Sequence, residues 1–509
     1  YLGGFVMSKV IGVLVDTVAI QKYVFSSNKL KANIGASNIV ENIYKKSLLQ
    51  IISRLLGKQI DFTQWFQKPE IIAILDPEVD FEIGYIGGGN ALLFFREREM
   101  AKEVIKAWTR SLLLEAPGLK TAVAIGDVDF DYFQQSAEEL HKQLKKNKNT
   151  YFPRTELFKH SITADCPVSG WSAESFERKE QKYLSAEILA KYDNIETGRY
   201  ESVLGNRYCL TDDLDNLGQA QGENYIAIVH IDGNYFGEMF KSCNTLEEIR
   251  RLSSRISELF TESFNDLLRY IIANMEFLCS SESGLNIKKK GDKYILPIRP
   301  ILNAGDDITF ICEGKLGVHL AEKFLRLMKE KPLSKDQKLS ACAGIAITKT
   351  KYPFYMAYEL AENLCTNAKN PAYKERGTSW LDFQLIYSGF SNLNLRNKPQ
   401  AEGGRLRFGP YLVDDNTMEE HSIKNLKEGI RLFQNPQLWP RSKVKELRTR
   451  LTTGKEGTKV FLEGMKAKGI NLYRLPGYCY EVDGFIGNKT PYFDMVELME
   501  FYLPYFLDK

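Results

Sequence analysis

The sequence lacks the features that mark several classes of protein. Its eight cysteines are scattered, and no two lie within four residues of each other, so the paired cysteines of zinc ribbons and of small disulfide scaffolds are missing. An excess of one charge is also missing, because 68 Lys and Arg residues balance 65 Asp and Glu residues. No apolar run approaches the roughly 18 residues that a membrane span requires. We therefore expect a cytoplasmic protein without membrane contact.

The chain is long, and its composition is that of a folded protein. Its 509 residues correspond to three or four domains of roughly 150 residues each. Apolar residues make up 44% and charged residues 26% of the chain, which is typical of globular proteins. Residues 1–7 end at Met7, and we interpret them as an expression remnant outside the fold.

An internal repeat is the most informative pattern in the sequence. The segments KVIGVLVDTVAI and YIAIVHIDGNYF each place a run of β-branched residues before an aspartate, Asp16 in the first segment and Asp232 in the second. A short run of this kind is typical of a buried strand, and the amphipathic stretch that follows it predicts a helix. The two segments therefore predict the same strand–turn–helix element twice.

A second element repeats at a matching distance. The segments GYIGGGNALLFF and RPILNAGDDITFIC each have glycine-rich turn positions before an apolar strand, which is the pattern of a β-hairpin. Gly89 lies 73 residues after Asp16, and Asp306 lies 74 residues after Asp232. A third strand pattern follows in each case, LKTAVAIG in the first and LSACAGIAIT in the second. We interpret this agreement as two copies of one α/β unit.

The repeat divides the chain into segments. We predict an α+β fold with a first copy at 8–150, a polar connecting domain at 151–223 and a second copy at 224–388. The remaining segment, 389–509, begins with a linker-like stretch and continues with helical periodicity. We therefore predict that it forms a small, mostly helical C-terminal domain.

Three carboxylates would converge in the second copy if its first strand lies beside its hairpin. Asp232 ends the strand, and Asp306 and Asp307 lie in the hairpin turn. Carboxylates gathered at one sheet edge repel each other, so a hard divalent cation is their natural partner. Aspartate is common in hairpin turns without any site, and the repeat is what favours catalysis here. We predict that Asp232, Asp306 and Asp307 are catalytic and bind two Mg²⁺ or Mn²⁺ ions.

The positions around these carboxylates have the chemistry of a triphosphate site. The turn after Asp232 opens a helix whose backbone N–H groups could hold phosphate oxygens. Basic residues after the last helical pattern could offset phosphate charge, although Lys374 and Arg376 alone would suit a solvated face. We interpret His230, inside the apolar strand, as a core residue. The predicted nucleotide-binding residues are Gly233, Asn234, Tyr235, Phe236, Gly237, Gly305, Lys369, Lys374 and Arg376.

The first copy lacks the acidic set of the second. Asp16 is retained, but Gly89 and Asn90 stand where the second copy has its acidic pair. One carboxylate is too few to hold two magnesium ions. We therefore expect the first copy to be catalytically inactive and to serve as a structural or substrate-binding partner.

Several of these motifs together resemble a known family. The segments SNKLKANIGASNIVENI, HIDGNYFGEMF, RPILNAGDD and NLCTNAKN are similar to the large palm-bearing subunit of type III CRISPR effector complexes. They also resemble the stand-alone CRISPR-like polymerases of prokaryotic antiviral defence. The resemblance covers roughly residues 8–388. It implies two tandem ferredoxin-like palm domains related to nucleotidyl cyclases and GGDEF domains, the first degenerate and the second with a GGDD turn.

The resemblance also implies a function and a set of site residues. Members of this family make cyclic oligoadenylate or a related cyclic nucleotide from ATP with Mg²⁺. Asp232, Asp306 and Asp307 match the family's metal-binding positions, Lys369 matches its triphosphate-binding lysine and Gly305 matches the second glycine of GGDD. The sequence departs from the family at Ala304, where glycine is usual, and in lacking both a His-Asp dipeptide and the paired zinc cysteines between the palms.

The two copies suggest different roles for the two palms. Cyclase-type palms commonly work face to face, so tandem palms would form a pseudo-dimer within one chain, with donor ATP on the second palm and the acceptor near 87–90 of the first. Expected partners are nucleoside triphosphates, guide or target RNA and other effector subunits.

Two other functions remain open from the sequence. One is a scaffold that binds guide RNA and protein subunits, and the other is a mono- or dinucleotide cyclase outside CRISPR. The stretch 441–468, with nine Lys and Arg residues against three acidic residues, could contact RNA phosphates or could be a solvated helix face.

Overall fold

The computed structural model describes most of the chain. The described residues are 9–150, 162–178, 181–195, 198–305, 307–334, 337–387, 404–413, 420–475 and 483–508. The chain forms two compact units, the first comprising residues 1–199, 235–261 and 301–307 and the second comprising residues 200–234, 262–300 and 308–509. Among the described residues, no helix is both long and apolar enough to span a membrane.

A four-stranded antiparallel sheet organises the first unit. Its strands are β1 (Lys9–Val18), β2 (Phe81–Gly87), β3 (Asn90–Phe95) and β4 (Lys120–Asp129), in the order β2-β3-β1-β4. Its helices up to residue 148 are α1 (Ile20–Val24), α2 (Leu30–Asn42), α3 (Leu49–Leu56), α4 (Gln64–Gln67), α5 (Arg98–Glu115) and α6 (Phe133–Lys148). A π-helical turn at Ile43–Leu48 joins α2 to α3. Leu14, Phe94 and Leu140 belong to one buried cluster, so α6 packs on the sheet through apolar side chains.

The connecting segment carries short elements. They are β5 (Ser175–Glu177), β6 (Lys182–Leu184), α7 (Ala186–Asp193), α8 (Glu201–Leu204) and β7 (Tyr208–Cys209). The side chain of Cys166 is buried beside Ala32, Leu184 and Ile188 in a small apolar cluster. This packing is typical of a free cysteine, which behaves as a small apolar residue.

A six-stranded sheet contains the second copy of the repeat. Its strands are β8 (Tyr225–Gly233), β11 (Ile298–Ala304), β12 (Asp307–Glu313), β15 (Ala341–Lys349), β16 (Trp380–Leu385) and β17 (Tyr411–Leu412), in the order β11-β12-β8-β15-β16-β17. Short strands β9 (Lys289–Lys290), β10 (Lys293–Ile295), β13 (Pro332–Ser334) and β14 (Gln337–Lys338) lie outside it. Strand β8 pairs antiparallel with β15, and β15 pairs parallel with β16. The burial of β8 and β15 on both faces explains their nearly continuous apolar sequences.

Further helices lie between residues 201 and 372 and in the C-terminal segment. Those up to residue 372 are α8, α9 (Phe236–Ser242), α10 (Leu246–Ala273), α11 (Met275–Cys279), α12 (Gly317–Lys329) and α13 (Phe354–Ala372). The C-terminal helices are α14 (Ile423–Gln434), α15 (Arg441–Thr453), α16 (Lys455–Lys466) and α17 (Pro491–Leu498). Single 3₁₀ turns lie at Ala73–Leu75, Phe130–Tyr132, Leu214–Asn216, Ser281–Ser283, Gly314–Leu316, Met499–Phe501 and Pro504–Phe506. The predicted α+β class and the mostly helical C-terminal segment are confirmed, although β17 returns from that segment to the sheet.

The two copies of the repeat share one topology. Within the first sheet the order is β2-β3-β1-β4, and the equivalent strands of the second sheet follow the order β11-β12-β8-β15. This order belongs to the ferredoxin-like βαββαβ arrangement. Ala19 and Tyr235, each three residues after the repeat's aspartate, both have left-handed backbone conformations, with φ of 56° and 65°. The repeat found in the sequence therefore extends to individual backbone angles.

Candidate active site

A carboxylate pair lies at one end of the second palm sheet. Asp232 is the second-last residue of β8 and Asp307 is the first residue of β12, the neighbouring strand. Carboxylate oxygens of these two residues and a ring nitrogen of His230 lie within 4.8 Å of one another. The structure thus brings together two of the three predicted carboxylates. The third, Asp306, lies outside the described residues.

The donor set of this cluster fits a divalent cation. Two carboxylates and one imidazole supply oxygen and nitrogen donors in a span that an ion can bridge. The carboxylates are only partly buried, so an ion could reach them from solvent. The predicted ligands Asp232 and Asp307 therefore have the spacing that a metal site needs.

Lys369 adds a positive charge to the same place. Its ammonium group forms an ion pair with the Asp232 carboxylate and donates a hydrogen bond to the Gly233 carbonyl oxygen at 3.1 Å. Burial is the largest effect on the pKa of Lys369 and would lower it, but the charge of Asp232, the hydrogen bond to Asp232 and the smaller effects of Cys365 and Tyr373 together raise the pKa. The lysine, predicted as a triphosphate contact, is therefore fully charged and lies next to the first carboxylate.

The turn after Asp232 is held by an asparagine. The Asn234 amide group donates hydrogen bonds to Ser340 Oγ at 3.0 Å and to the Thr378 carbonyl oxygen at 3.3 Å. Its backbone N–H donates to the Ser340 carbonyl oxygen at 2.9 Å. Asn234 is 3% exposed, so its role in this structure is to fix the turn.

The remaining loop residues have different surroundings. Tyr235 takes the left-handed conformation directly before α9, and Phe236 is buried. A Cβ atom added at Gly237 would meet no heavy atom within 4 Å, so this position has open space beside it. Phosphate binding by the loop stays a prediction.

The other predicted nucleotide contacts lie in turns. Gly305 has φ of 74° in the β11–β12 hairpin, a conformation that favours glycine. Lys374 and Arg376 follow the end of α13 and are exposed. Their proposed contact with phosphates stays a prediction.

His230 is a residue that the sequence analysis left out. It is 4% exposed, and its Nδ1 lies 3.0 Å from Thr309 Oγ1. Burial lowers its pKa to about 4, partly opposed by the charge of Asp232. The signal was present in the sequence, because residues two apart on a strand lie on the same face of the sheet. His230 and Asp232 are such a pair.

The first palm has a different arrangement at the equivalent place. Asp16 pairs across the strands with Asn90, and its carboxylate forms an ion pair with Lys148, the last residue of α6. Burial raises the pKa of Asp16, although Lys148 and His141 oppose this effect. Lys148 of the first palm thus corresponds to Lys369 of the second, and Asn90 corresponds to Asp307, so an amide replaces the second carboxylate.

A cavity of about 840 Å³ lies within the first unit. Its walls include the hairpin turn of the first palm, one face of α6 and part of α9 and α10. Tyr85, Asn90, His141, Lys145 and Phe236 are among the lining residues. Aromatic, basic and amide groups together suit a ligand with a flat ring and negative charge.

Comparison with known proteins gives a family for the second palm. Residues 225–378 match the family model described as Cas10/Cmr2, second palm domain. The second copy of the repeat is a palm domain similar to that of Cas10/Cmr2. The Cas10/Cmr2-type match includes Asp232, Asp307 and Lys369. A comparison with curated proteins finds no match.

Solved structures share the fold of nearly the whole chain. Csm1 in T. onnurineus aligns with a TM-score of 0.57 and 13% identity, over 97% of this chain and 70% of that one. A Csm1–Csm4 cassette in complex with AMPPNP aligns with a TM-score of 0.53 and 12% identity, over the same shares. A Csm1–Csm4 cassette in complex with cA4 aligns with a TM-score of 0.54 and 11% identity, over 97% of this chain and 70% of that one. The predicted resemblance to the palm-bearing subunit of type III CRISPR complexes is confirmed.

Proposed function

We propose that this protein is a metal-dependent nucleotidyltransferase that converts ATP into a cyclic oligoadenylate-type messenger in prokaryotic antiviral defence. The observation that carries the proposal is the cluster of Asp232, Asp307 and Lys369 at the end of the second palm sheet. Pure scaffolding gives no reason to gather carboxylates, whose mutual repulsion is unfavourable without a cation. The similarity to Csm1-containing structures with AMPPNP and cA4 supports the same function.

The chain's own residues suggest how the transfer would proceed. Asp232 and Asp307, with Asp306, would hold the divalent ions, and Lys369 would donate hydrogen bonds to phosphate oxygens. Bound ions would offset the charge of the triphosphate and favour ionisation of the attacking hydroxyl. The 3′-oxygen of the acceptor forms a bond to the α-phosphorus, and the bond from that phosphorus to the bridging oxygen breaks, releasing pyrophosphate. Asn234 would keep the turn rigid while the charge redistributes.

We propose the first-unit cavity as the acceptor site. Gly305 belongs to the first unit, and a Cβ atom added to it would lie 3.3 Å from the Gly88 backbone nitrogen. The tip of the catalytic hairpin therefore borders the cavity that Gly88 and Asn90 line. A nucleotide in this cavity could present its 3′-hydroxyl toward that hairpin, which agrees with an acceptor near 87–90 and with a palm pseudo-dimer within the chain.

The partners follow from the same similarity. We propose that the protein acts in the cytoplasm with other effector subunits, since the similar structures include Csm1–Csm4 cassettes. Guide or target RNA is a further proposed partner, and it is tested separately below.

The decisive experiment measures products from ATP. Purified protein with ATP and Mg²⁺ or Mn²⁺ should release pyrophosphate and yield a cyclic product, identified by mass spectrometry. Asp307→Asn should reduce the rate by roughly 10³, which corresponds to about 4 kcal/mol of lost transition-state stabilisation. Replacing Asp306 as well should abolish the remaining activity. It should not lower the melting temperature of the metal-free protein, because the substitutions remove carboxylates that repel each other.

A second hairpin-turn aspartate provides the control. Asp292 lies in the exposed turn between β9 and β10, and Asp292→Asn should leave the rate unchanged. A cyclic mononucleotide or dinucleotide product would favour the cyclase outside CRISPR. Undiminished turnover in the Asp306 and Asp307 double variant would place the chemistry elsewhere and refute the proposed site.

A further inference from the structure

His230 occupies an unusual position for a core histidine. Its side chain is on β8, two residues before Asp232 and therefore on the same face of the sheet. A hydrogen bond of 3.0 Å joins its Nδ1 to Thr309 Oγ1 on β12. The Tyr358 ring packs edge-on against it, with ring centroids 5.5 Å apart. These two contacts fix the orientation of the imidazole ring.

The fixed ring belongs to the carboxylate cluster. One ring nitrogen of His230 and carboxylate oxygens of Asp232 and Asp307 all lie within 4.8 Å of one another. Metal-binding histidines in proteins are held by a hydrogen bond from the ring to a second group, which orients the imidazole. Thr309 provides a bond of this kind.

We propose that His230 is a nitrogen ligand of the divalent ion that Asp232 and Asp307 hold, and that the site consequently favours Mn²⁺ or Co²⁺ over Mg²⁺. The inference rests on the proposed function only in placing an ion between these carboxylates. Mg²⁺ binds almost entirely through oxygen, whereas imidazole binds first-row transition metals well. A nitrogen donor in the set therefore changes which ion is bound most tightly.

The direct test is pulsed electron paramagnetic resonance of Mn²⁺ bound to the whole protein without nucleotide. A coordinated imidazole nitrogen should give ¹⁴N modulation of the electron spin echo. Protein labelled with ¹⁵N only at its histidines should show the altered pattern of that isotope. This measurement uses the unsubstituted chain, so it does not depend on whether a variant folds.

Variants identify which histidine is responsible. His230→Asn should remove the nitrogen signal and weaken Mn²⁺ binding in calorimetry by at least about tenfold, while Mg²⁺ binding falls by much less. His421→Asn is the matched control, because His421 belongs to the C-terminal segment, where its Nδ1 lies 3.1 Å from the Pro410 carbonyl oxygen, and should leave both the signal and the affinities unchanged. Circular dichroism checks that each variant is folded.

The outcomes separate this inference from the proposed function. Mn²⁺ that binds through Asp232 without a nitrogen signal would overturn His230 as a ligand and leave the proposed reaction intact. A nitrogen signal that survives His230→Asn would also overturn it. A signal that disappears in that variant would support it even if the protein made no cyclic product, a result that would instead count against the proposed function.

Discussion

At the residue scale, Asp232 has two competing partners, the ammonium group of Lys369 and the proposed divalent ion. The carboxylate proposed to bind the divalent ion is already paired with an ammonium group, and the pair is only partly exposed, at 14% for Lys369 and 31% for Asp232. A metal ion entering without nucleotide must therefore compete with Lys369 for Asp232. A triphosphate offers the lysine a different anionic partner, so nucleotide and metal should help each other to bind.

Neutralising this lysine should have opposite effects on the two ligands. Lys369→Gln removes the competing cation, and we expect Mn²⁺ to bind the nucleotide-free protein several-fold more tightly, on the order of 1 kcal/mol. ATP should bind more weakly, since a phosphate contact is lost. Calorimetry with each ligand alone measures both effects. Lys148→Gln in the first palm is the control for Mn²⁺, and weaker Mn²⁺ binding in Lys369→Gln would contradict the competition.

At the element scale, the equivalent strands and hairpins of the two palms could be predicted from the sequence. Periodic apolar runs and the 73- and 74-residue spacings depend on local sequence, so strands and turns could be matched without coordinates. The ion-pair partner of Asp16 could not be predicted, because the packing of α6 on the sheet brings Lys148 to this aspartate. The hydrogen bond between His230 and Thr309 could not be predicted for a similar reason, since it joins two strands.

The first palm should not bind a catalytic metal. In Asp16→Asn, the ion pair with Lys148 is lost, and the residue of β3 opposite position 16 is Asn90 rather than a second carboxylate. We expect Mn²⁺ affinity in calorimetry to remain within about twofold of the unsubstituted protein. A large loss of Mn²⁺ binding in a folded Asp16→Asn protein would assign metal chemistry to the first palm.

At the scale of the whole molecule, part of the basic run at 441–468 is compensated by carboxylates. Arg441 pairs with Glu500, Arg448 with Glu497 at 3.2 Å, and both Lys443 and Arg450 with Glu446 at 2.8 Å and 3.6 Å. These pairs favour the solvated-face interpretation over phosphate contacts. Composition could not decide this point, because Glu497 and Glu500 lie outside the run.

Charge reversal on exposed lysines tests this interpretation. Lys445, Lys459 and Lys466 are exposed on α15 and α16, and we expect their joint replacement by Glu to leave RNA affinity within about twofold. Fluorescence anisotropy with single-stranded RNA over a series of salt concentrations gives both the affinity and its salt slope. An affinity loss of more than tenfold would assign RNA binding to the run if the salt slope also fell by the equivalent of about two or more phosphate contacts.

Under the proposed function, the Asp16–Lys148 pair of the first palm would affect the order of bond formation. If only the second palm can activate a triphosphate, the protein has a single donor position, and each phosphodiester bond must be made in a separate turnover. Linear intermediates that keep a 5′-triphosphate must therefore precede ring closure. The ring size is then a kinetic outcome, decided at each step by whether the growing chain is extended again or its own triphosphate enters the donor position.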